Sequence, residues 1–419
     1  MSTRHPFGRR AAWPVMLGVG AAALAVTAAV TRADTAAPSA PATSPSASAT
    51  ASTPAPTPSA SPTTEDVLAG VELDALEERE IGDLRNFAAW LAENDAEGFV
   101  GEVGWPAATD PGWDALGEHW YLLAEQEGLW TTAWAAGSHW SDGYPLVTYG
   151  DGGSGALDTA GGQALVIEGL EASRGTDDAA GTGARHGVNL AGLEFGTEDG
   201  FTNTRPGVLG TDYFAEPLAS YAWLASRGID LVRLPVRWER LQPEPGGALD
   251  AAQVAAVTAQ LDAAADAGID VVLDLHNYGA YVTDAGPLLL GSDALPGTRM
   301  TDVWLRIART WGEHPAVLGY GLMNEPHDLG GGDERGAAAA WEQLTQDTVA
   351  ALREAGDAHL LLVAGYDWSS LERWRTTHPT GWIDDTAGNF RYEAHHYWDA
   401  YGEGKYALPY AEELAAAAG

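Results

Sequence analysis

Two glutamates carry the first chemical signal in this chain. Glu325 stands in Asn324-Glu325-Pro326, at the end of the apolar run 318–323. A carboxyl at a strand's C-terminal end, beside an amide able to hold a hydroxyl, suits general acid/base work on a glycoside. Such work needs a second carboxylate across the scissile bond. Gly101-Glu102-Val103-Gly104 offers one, its glycines allowing backbone to approach a ligand closely. Each signal has a plain alternative. Asn324-Glu325-Pro326 also reads as a strand-end turn broken by proline, and Glu102 as one solvated carboxylate among 59 acidic residues.

The elements that must position these groups alternate regularly. From about residue 187, β-rich runs recur at 188–190, 230–236, 269–275, 318–323, 360–364 and 392–397, with helical stretches between them. In 251–267, for example, Val254, Val257, Leu261 and Ala264 fall on one helix face. Strand–helix alternation with nearly continuous apolar strands predicts a parallel sheet buried on both faces. Six units do not close an eight-stranded barrel. The front of the chain supplies the remainder: a helix stripe of Ile81, Leu84, Phe87, Ala88 and Leu91, a strand at 98–102, a helix at 113–126 and a strand at 129–134. A further helix over 157–170 is weakened by Gly161 and Gly162. The expected fold class is α/β, a (β/α)8 TIM barrel whose last two strands come first.

The motifs at these strand ends are similar to those of glycoside hydrolase family 5. The matching stretches are Val232-Arg233-Leu234-Pro235, Asp274-Leu275-His276-Asn277-Tyr278-Gly279, Leu322-Met323-Asn324-Glu325-Pro326 and Glu393-Ala394-His395-His396-Tyr397. The segment 98–104 resembles that family's seventh strand, and Trp130-Thr131-Thr132-Ala133-Trp134 its eighth. The departure is order, which implies circular permutation, tolerated where neighbouring ends of a closed barrel are joined and a loop is cut elsewhere. The resemblance implies that Glu325 is the acid/base and Glu102 the nucleophile. It implies that Asn324 holds the substrate's 2-hydroxyl and that Arg233 keeps Glu102 ionised. Tyr397 would bond Glu102, His395 would sit beside Glu325, and His276 and Trp134 would line the subsite of the cleaved ring. It implies retention by double displacement on β-1,4-glucan, with mannan or another β-glucan as the alternative substrate, and no metal or cofactor. A carbohydrate-binding barrel without turnover is the alternative from another class. The adjacent His395 and His396 face opposite sides of a strand and so cannot share an ion. Trp105, Trp140, Trp238, Trp368 and Trp398 all follow strand ends and are candidate sugar platforms. The loops 196–213 and 282–299 carry no readable pattern.

Composition sets the partners. Seventeen tryptophans suit stacking on sugar rings, beyond what a core takes. A net charge of −37 argues against nucleic acid or an anionic membrane surface, since both select basic proteins. With no cysteine, disulfides, thiolate metal sites and cysteine nucleophiles are excluded. Arg4, Arg9 and Arg10 before the apolar run 11–30 read as an export signal within residues 1–34. The chain is therefore expected to be secreted; retention of the run as a membrane anchor is the alternative. Residues 35–64, almost all Pro, Ala, Ser and Thr, read as an extended linker. The catalytic domain is expected over 65–419, divided into 65–172, a bridge at 173–186, and 187–419. Permutation at the cleft would also bring 65–76 in at the active-site face. The expected partner is a β-linked polysaccharide or oligosaccharide; nothing in the composition fixes an oligomeric state.

Overall fold

The computed structural model describes residues 66–106, 110–141, 143–174, 183–198, 200–329 and 333–418. The expected export segment, the linker and most of the bridge (175–182) lie outside the described residues.

Eight parallel strands form a closed ring: β1 (Gly98–Val103), β2 (Trp130–Ala136), β3 (His186–Leu190), β4 (Leu231–Val236), β5 (Asp270–Leu275), β6 (Val317–Gly321), β7 (Leu360–Ala364) and β8 (Phe390–His396). Each pairs with its chain neighbours, and β8 returns to β1 with Gly98 opposite Tyr392 and Val103 opposite His396. The expected neighbours are present: β2 lies beside β3, Thr131 opposite His186, and β1 beside β8. The protein is thus a (β/α)8 TIM barrel.

Helices α1 (Ala75–Glu93), α2 (Pro111–Gln126), α3 (Gly162–Arg174), α4 (Ala219–Ser226), α5 (Ala251–Ala267), α6 (Thr298–Trp311), α7 (Glu334–Glu354) and α8 (Tyr410–Ala417) surround the described barrel. Their ends are set locally. Asp74 caps α1 by accepting from Leu76 N and Glu77 N, while Glu77 returns a bond to Asp74 N, a capping box. Asp110 caps α2, which starts on Pro111. Asp250 caps α5, and Gly268 ends it at φ +74°, where a side chain would be strained. Helix α1 packs between α2 and the short turn Trp374–Thr377, filling the outer position beside β8 and β1.

Strand periodicity decides what faces inward. Phe99, Leu231, Val272, Leu360 and Leu362 fill the lower barrel, and the next inward positions up the strands are polar: Arg233, Asp274 and Glu393. Outward residues such as Val232, Val271 and Leu273 pack under the helices.

Several boundaries differ from expectation. The run 318–323 is regular strand only over Val317–Gly321; Leu322 N and Asn324 N still donate to Leu362 O and Leu275 O on either side, and the chain turns at Glu325. The helix expected over 157–170 starts at Gly162, because Tyr149–Gly150 and Thr159–Ala160 form a small antiparallel pair before it. The loop 282–299 contains most of a hairpin, Ala280–Thr283 with Gly286–Leu289. The entry of the described chain also differs. Asp74 does lie at the active-site end, bonded by Tyr410 Oη at 2.7 Å. Asp66 and Val67, however, contact Arg85 and Gln126, at the opposite end of α2, where Leu68 is buried. The chain therefore climbs the outside of the barrel before α1 begins.

Candidate active site

Every functional side chain expected from the sequence lies at the strands' C-terminal ends. Glu102 reaches the interior through a β-bulge. Val100 pairs with Ala394 and Glu102 with the next residue, His395, so Gly101 is the extra residue and re-aims the glutamate. Gly101 is also where Glu393 packs: a Cβ there would stand 2.1 Å from Glu393 Oε1. Glu325 is aimed by another device. Its φ of +42° is a left-handed conformation that non-glycine residues rarely hold, a strain of about 1–3 kcal/mol found mainly at functional sites.

The two carboxylates converge. One oxygen of Glu102, one of Glu325 and a ring nitrogen of His395 all lie within 4.8 Å of one another. His395 Nδ1 is 2.9 Å from Glu325 Oε1 and 3.6 Å from Glu102 Oε2. Tyr397 donates to Glu102 Oε2 at 2.7 Å. Arg233, fully buried, donates to Asn189 Oδ1 (2.9 Å), Asn324 Oδ1 (2.7 Å) and, longer, Glu102 Oε1 (3.4 Å). Its nearer ion pairs are with Glu393 (2.9 Å) and Asp274 (3.0 Å). His276 Nδ1 meets Asp274 Oδ2 at 2.8 Å, and its Nε2 faces Tyr278 Oη and Asn324 Nδ2. The Trp134 indole lies nearly parallel to the His276 ring, centroids 5.6 Å apart, with Nε1 donating to Tyr144 Oη. The Trp134–Ala135 peptide is cis.

Four carboxylates, Glu102, Asp274, Glu325 and Glu393, face two cations in this interior. Burial raises Glu102 above the usual carboxylate range, and Glu325 adds to the effect against His395 and Arg233. Arg233 does favour ionised Glu102, as does His395, while burial opposes both. Burial likewise pushes Asp274 up to about 7, despite Arg233 beside it. The two histidines diverge. Burial holds His276 down to about 3 in spite of Glu102 and Glu325. Burial also opposes charge on His395, yet Glu102, Glu325 and Glu393 together push it up to about 10.

Two groups of histidine and carboxylate donors converge among the described residues. Outside β8, Glu80, Asp83 and His396 converge. Trp120 Nε1 donates to His396 Nδ1, which leaves the ring proton on Nε2, facing Glu80 Oε2 at 2.8 Å. Inside, His395 is held protonated by its carboxylates. His395 and His396 thus face opposite sides, as alternation requires.

Of the candidate platforms, Trp105, Trp238 and Trp398 are fully buried core residues, a correction; they pack among helices instead of facing the cleft. Trp140 stacks on Tyr144 (4.1 Å, 8°) beside Trp134. Trp368 is 43% exposed, stacks on His327 (3.5 Å, 11°), and is tied to Pro326 O through its backbone N–H. Sequence reasoning gave no role to Asn189, Asp274 or Glu393. Their signal was available: Asp274 precedes His276 by two, and Glu393 precedes His395 by two, so each pair shares one strand face.

The chain is similar to several known proteins. A manganese-dependent endoglucanase from Phanerodontia chrysosporium is 31% identical over 198 residues, 45% of this chain and 45% of that one. A probable endo-beta-1,4-glucanase B from Aspergillus oryzae is 28% identical over 221 residues, 52% of this chain and 60% of the relative. The chain thus spans about half the length of these curated relatives. A Pseudomonas stutzeri endoglucanase solved in complex with cellobiose is 36% identical, with a TM-score of 0.47 over 53% of this chain and 62% of that one. The family model described as cellulase (glycosyl hydrolase family 5) matches residues 188–416. With more than half of its length so matched, the chain belongs to glycosyl hydrolase family 5.

Proposed function

We propose that the protein is a secreted, retaining endo-β-1,4-glucanase whose barrel is circularly permuted. The convergence of Glu102, Glu325 and His395 within 4.8 Å carries the reading. Retaining glycosidases set their carboxyl groups about 5–5.5 Å apart so that one attacks the anomeric carbon directly, whereas inverting enzymes leave ~6.5–9.5 Å for water. Glu102 is the nucleophile and Glu325 the acid/base. In the first step Glu325 gives its proton to the leaving oxygen while Glu102 attacks, forming a glycosyl ester. Glu325, now ionised, then takes a proton from water, which releases the sugar and restores both groups. The Tyr397 hydroxyl fixes the Glu102 carboxylate. Asn324, held by Arg233, is placed to bind the 2-hydroxyl. Trp134 and Trp140 on one side, and Trp368 on the side of Glu325, supply indole faces for sugar rings.

Permutation is supported by where the motifs stand. The family match begins at residue 188, within β3, and the nucleophile and Trp134 lie before it. Two experiments test the reading. Hydrolysis of cello-oligosaccharides followed by proton NMR should show β-configured product first; initial α product would exclude double displacement. A rearranged gene that places residues 66–174 after 418 should give the same barrel and activity. Loss of folding in that rearrangement would count against the permuted origin.

A further inference from the structure

Glu393 has no part in the two proton transfers just described, yet it occupies the centre of the site. Its carboxyl is fully buried, with Oε1 2.9 Å from Arg233 Nε and 3.6 Å from His395 Nε2. Neither oxygen has a well-formed hydrogen bond, so its contacts in this arrangement are ionic. Gly101 makes room for it, since any Cβ there would collide with Glu393 Oε1 and come within 2.9 Å of His395 Nε2. The bulge that aims Glu102 therefore also seats Glu393 against the histidine.

We infer that Glu393 is a positioning residue that keeps His395 doubly protonated and turned with Nδ1–H toward the acid/base Glu325. The inference rests on the glycosidase reading above. A protonated ring cannot accept Glu325's proton, so that proton is left for the leaving oxygen. When Glu325 becomes a carboxylate, the same N–H stabilises it. The ring keeps both of its own protons throughout. A neutral ring with a bare Nδ1 would instead accept from Glu325 and hold the acid's proton away from substrate.

The surroundings of His395 fit this assignment. It is faced by Glu102 from β1, Glu325 from the turn after β6 and Glu393 from its own strand, with Arg233 from β4 and Asp274 and His276 from β5 beyond them. Of the three nearest carboxylates, Glu102 is esterified in the intermediate and Glu325 cycles through protonation. Glu393 alone keeps its charge through the whole reaction. Burial works against that charge, but Arg233 and His395 hold Glu393 below the usual carboxylate range.

The test is Glu393→Gln, read by the pH dependence of kcat/KM on cello-oligosaccharide and on a dinitrophenyl β-cellobioside that needs no protonation. Removing a neighbouring carboxylate should move the alkaline limb on the oligosaccharide down by about one pH unit or more. The activated substrate should lose far less, and Glu393→Asp should restore part of the limb. An unchanged alkaline limb in a folded Glu393→Gln protein overturns the inference while leaving the glycosidase reading intact. Wild type without hydrolytic activity would defeat that reading instead. Should Glu393→Gln fail to fold, nitrogen-15 NMR of the wild-type imidazoles, assigned with His395→Gln, still decides the matter. Both ring nitrogens of His395 should carry protons at pH 8, and a neutral ring there overturns the inference.

Discussion

The front of the barrel, residues 98–174, and the back, residues 186–397, share one sheet but carry different signals. The back matches the family model and holds Arg233, His276, Asn324, Glu325, His395 and Tyr397. The front lies outside that match and holds Glu102 and Trp134. The seams between them are ordinary parallel ladders, Phe99 opposite Glu393 on one side and Ala133 opposite Val188 on the other. A closed ring has no first strand, so packing is indifferent to where the chain begins. The site needs both halves, and that dependence can be broken one group at a time.

The largest effect belongs to the front. Glu102→Gly should lower turnover by on the order of 10⁴ or more, as loss of a nucleophile does elsewhere. Azide, small enough to enter the space left, should restore turnover and give a glycosyl azide of inverted configuration. Undiminished activity in Glu102→Gly would remove the front segment from the chemistry and reduce it to scaffold.

The matching change in the back should be milder and selective. Glu325→Ala should cost about 10²–10⁴ on cello-oligosaccharides. On substrates with good leaving groups the first step should be nearly unaffected, since the lost proton is not needed. Equal losses on both kinds of substrate would mean that Glu325 serves some other purpose.

The two halves also meet in one hydrogen bond, Tyr397 Oη of the back donating to Glu102 Oε2 of the front at 2.7 Å. In the proposed mechanism Glu102 must be ionised to attack, and burial raises its proton affinity. Tyr397→Phe removes a donor to the carboxylate, so Glu102 should ionise less readily. The acid limb of kcat/KM on an activated aryl cellobioside should then move to higher pH, by about one pH unit. A limb that stays in place, or falls, would mean that the back half does not tune the Glu102 carboxyl.

What was legible in the sequence follows from periodicity. Strand–helix alternation gave the barrel, and the alternation of His395 and His396 gave their opposite faces correctly. The same rule puts Asp274 on the face of His276 and Glu393 on that of His395, two positions before the strand-end residues that carry the motif. Two features needed coordinates. A bulge at Gly101 breaks period two, so no alternation rule places Glu102 inside. The left-handed backbone at Glu325 likewise has no sequence mark beyond Pro326 after it. Tryptophan at a strand end misled for the opposite reason: Trp105 and Trp398 stack on each other at 5.2 Å, filling the space outside β1 and β8. Adjacency in sequence to a strand end does not say which side of the barrel an indole takes.

The smallest effect concerns the seam itself. After β8 the chain runs on through Tyr406, whose buried hydroxyl donates to Gly104 O and accepts from Trp398 N at 3.0 Å. Those two backbone groups lie just beyond β1 and β8, close after Glu102 and Tyr397, so one phenol ties the active ends of front and back. Tyr406→Phe keeps the ring and its edge contact with Trp113 but leaves a buried carbonyl and a buried N–H without that partner. Such orphaned groups cost about 1–3 kcal/mol, a fall in unfolding free energy that denaturant titration can read. Because the bond fixes the strand end carrying Glu102, the proposed nucleophile, kcat should fall severalfold while KM changes little. Stability and kcat both at wild-type level would show that the seam is held by its ladder alone. A large loss of stability with unchanged kcat in the folded protein would mean that Tyr406 secures the closure without aligning the chemistry.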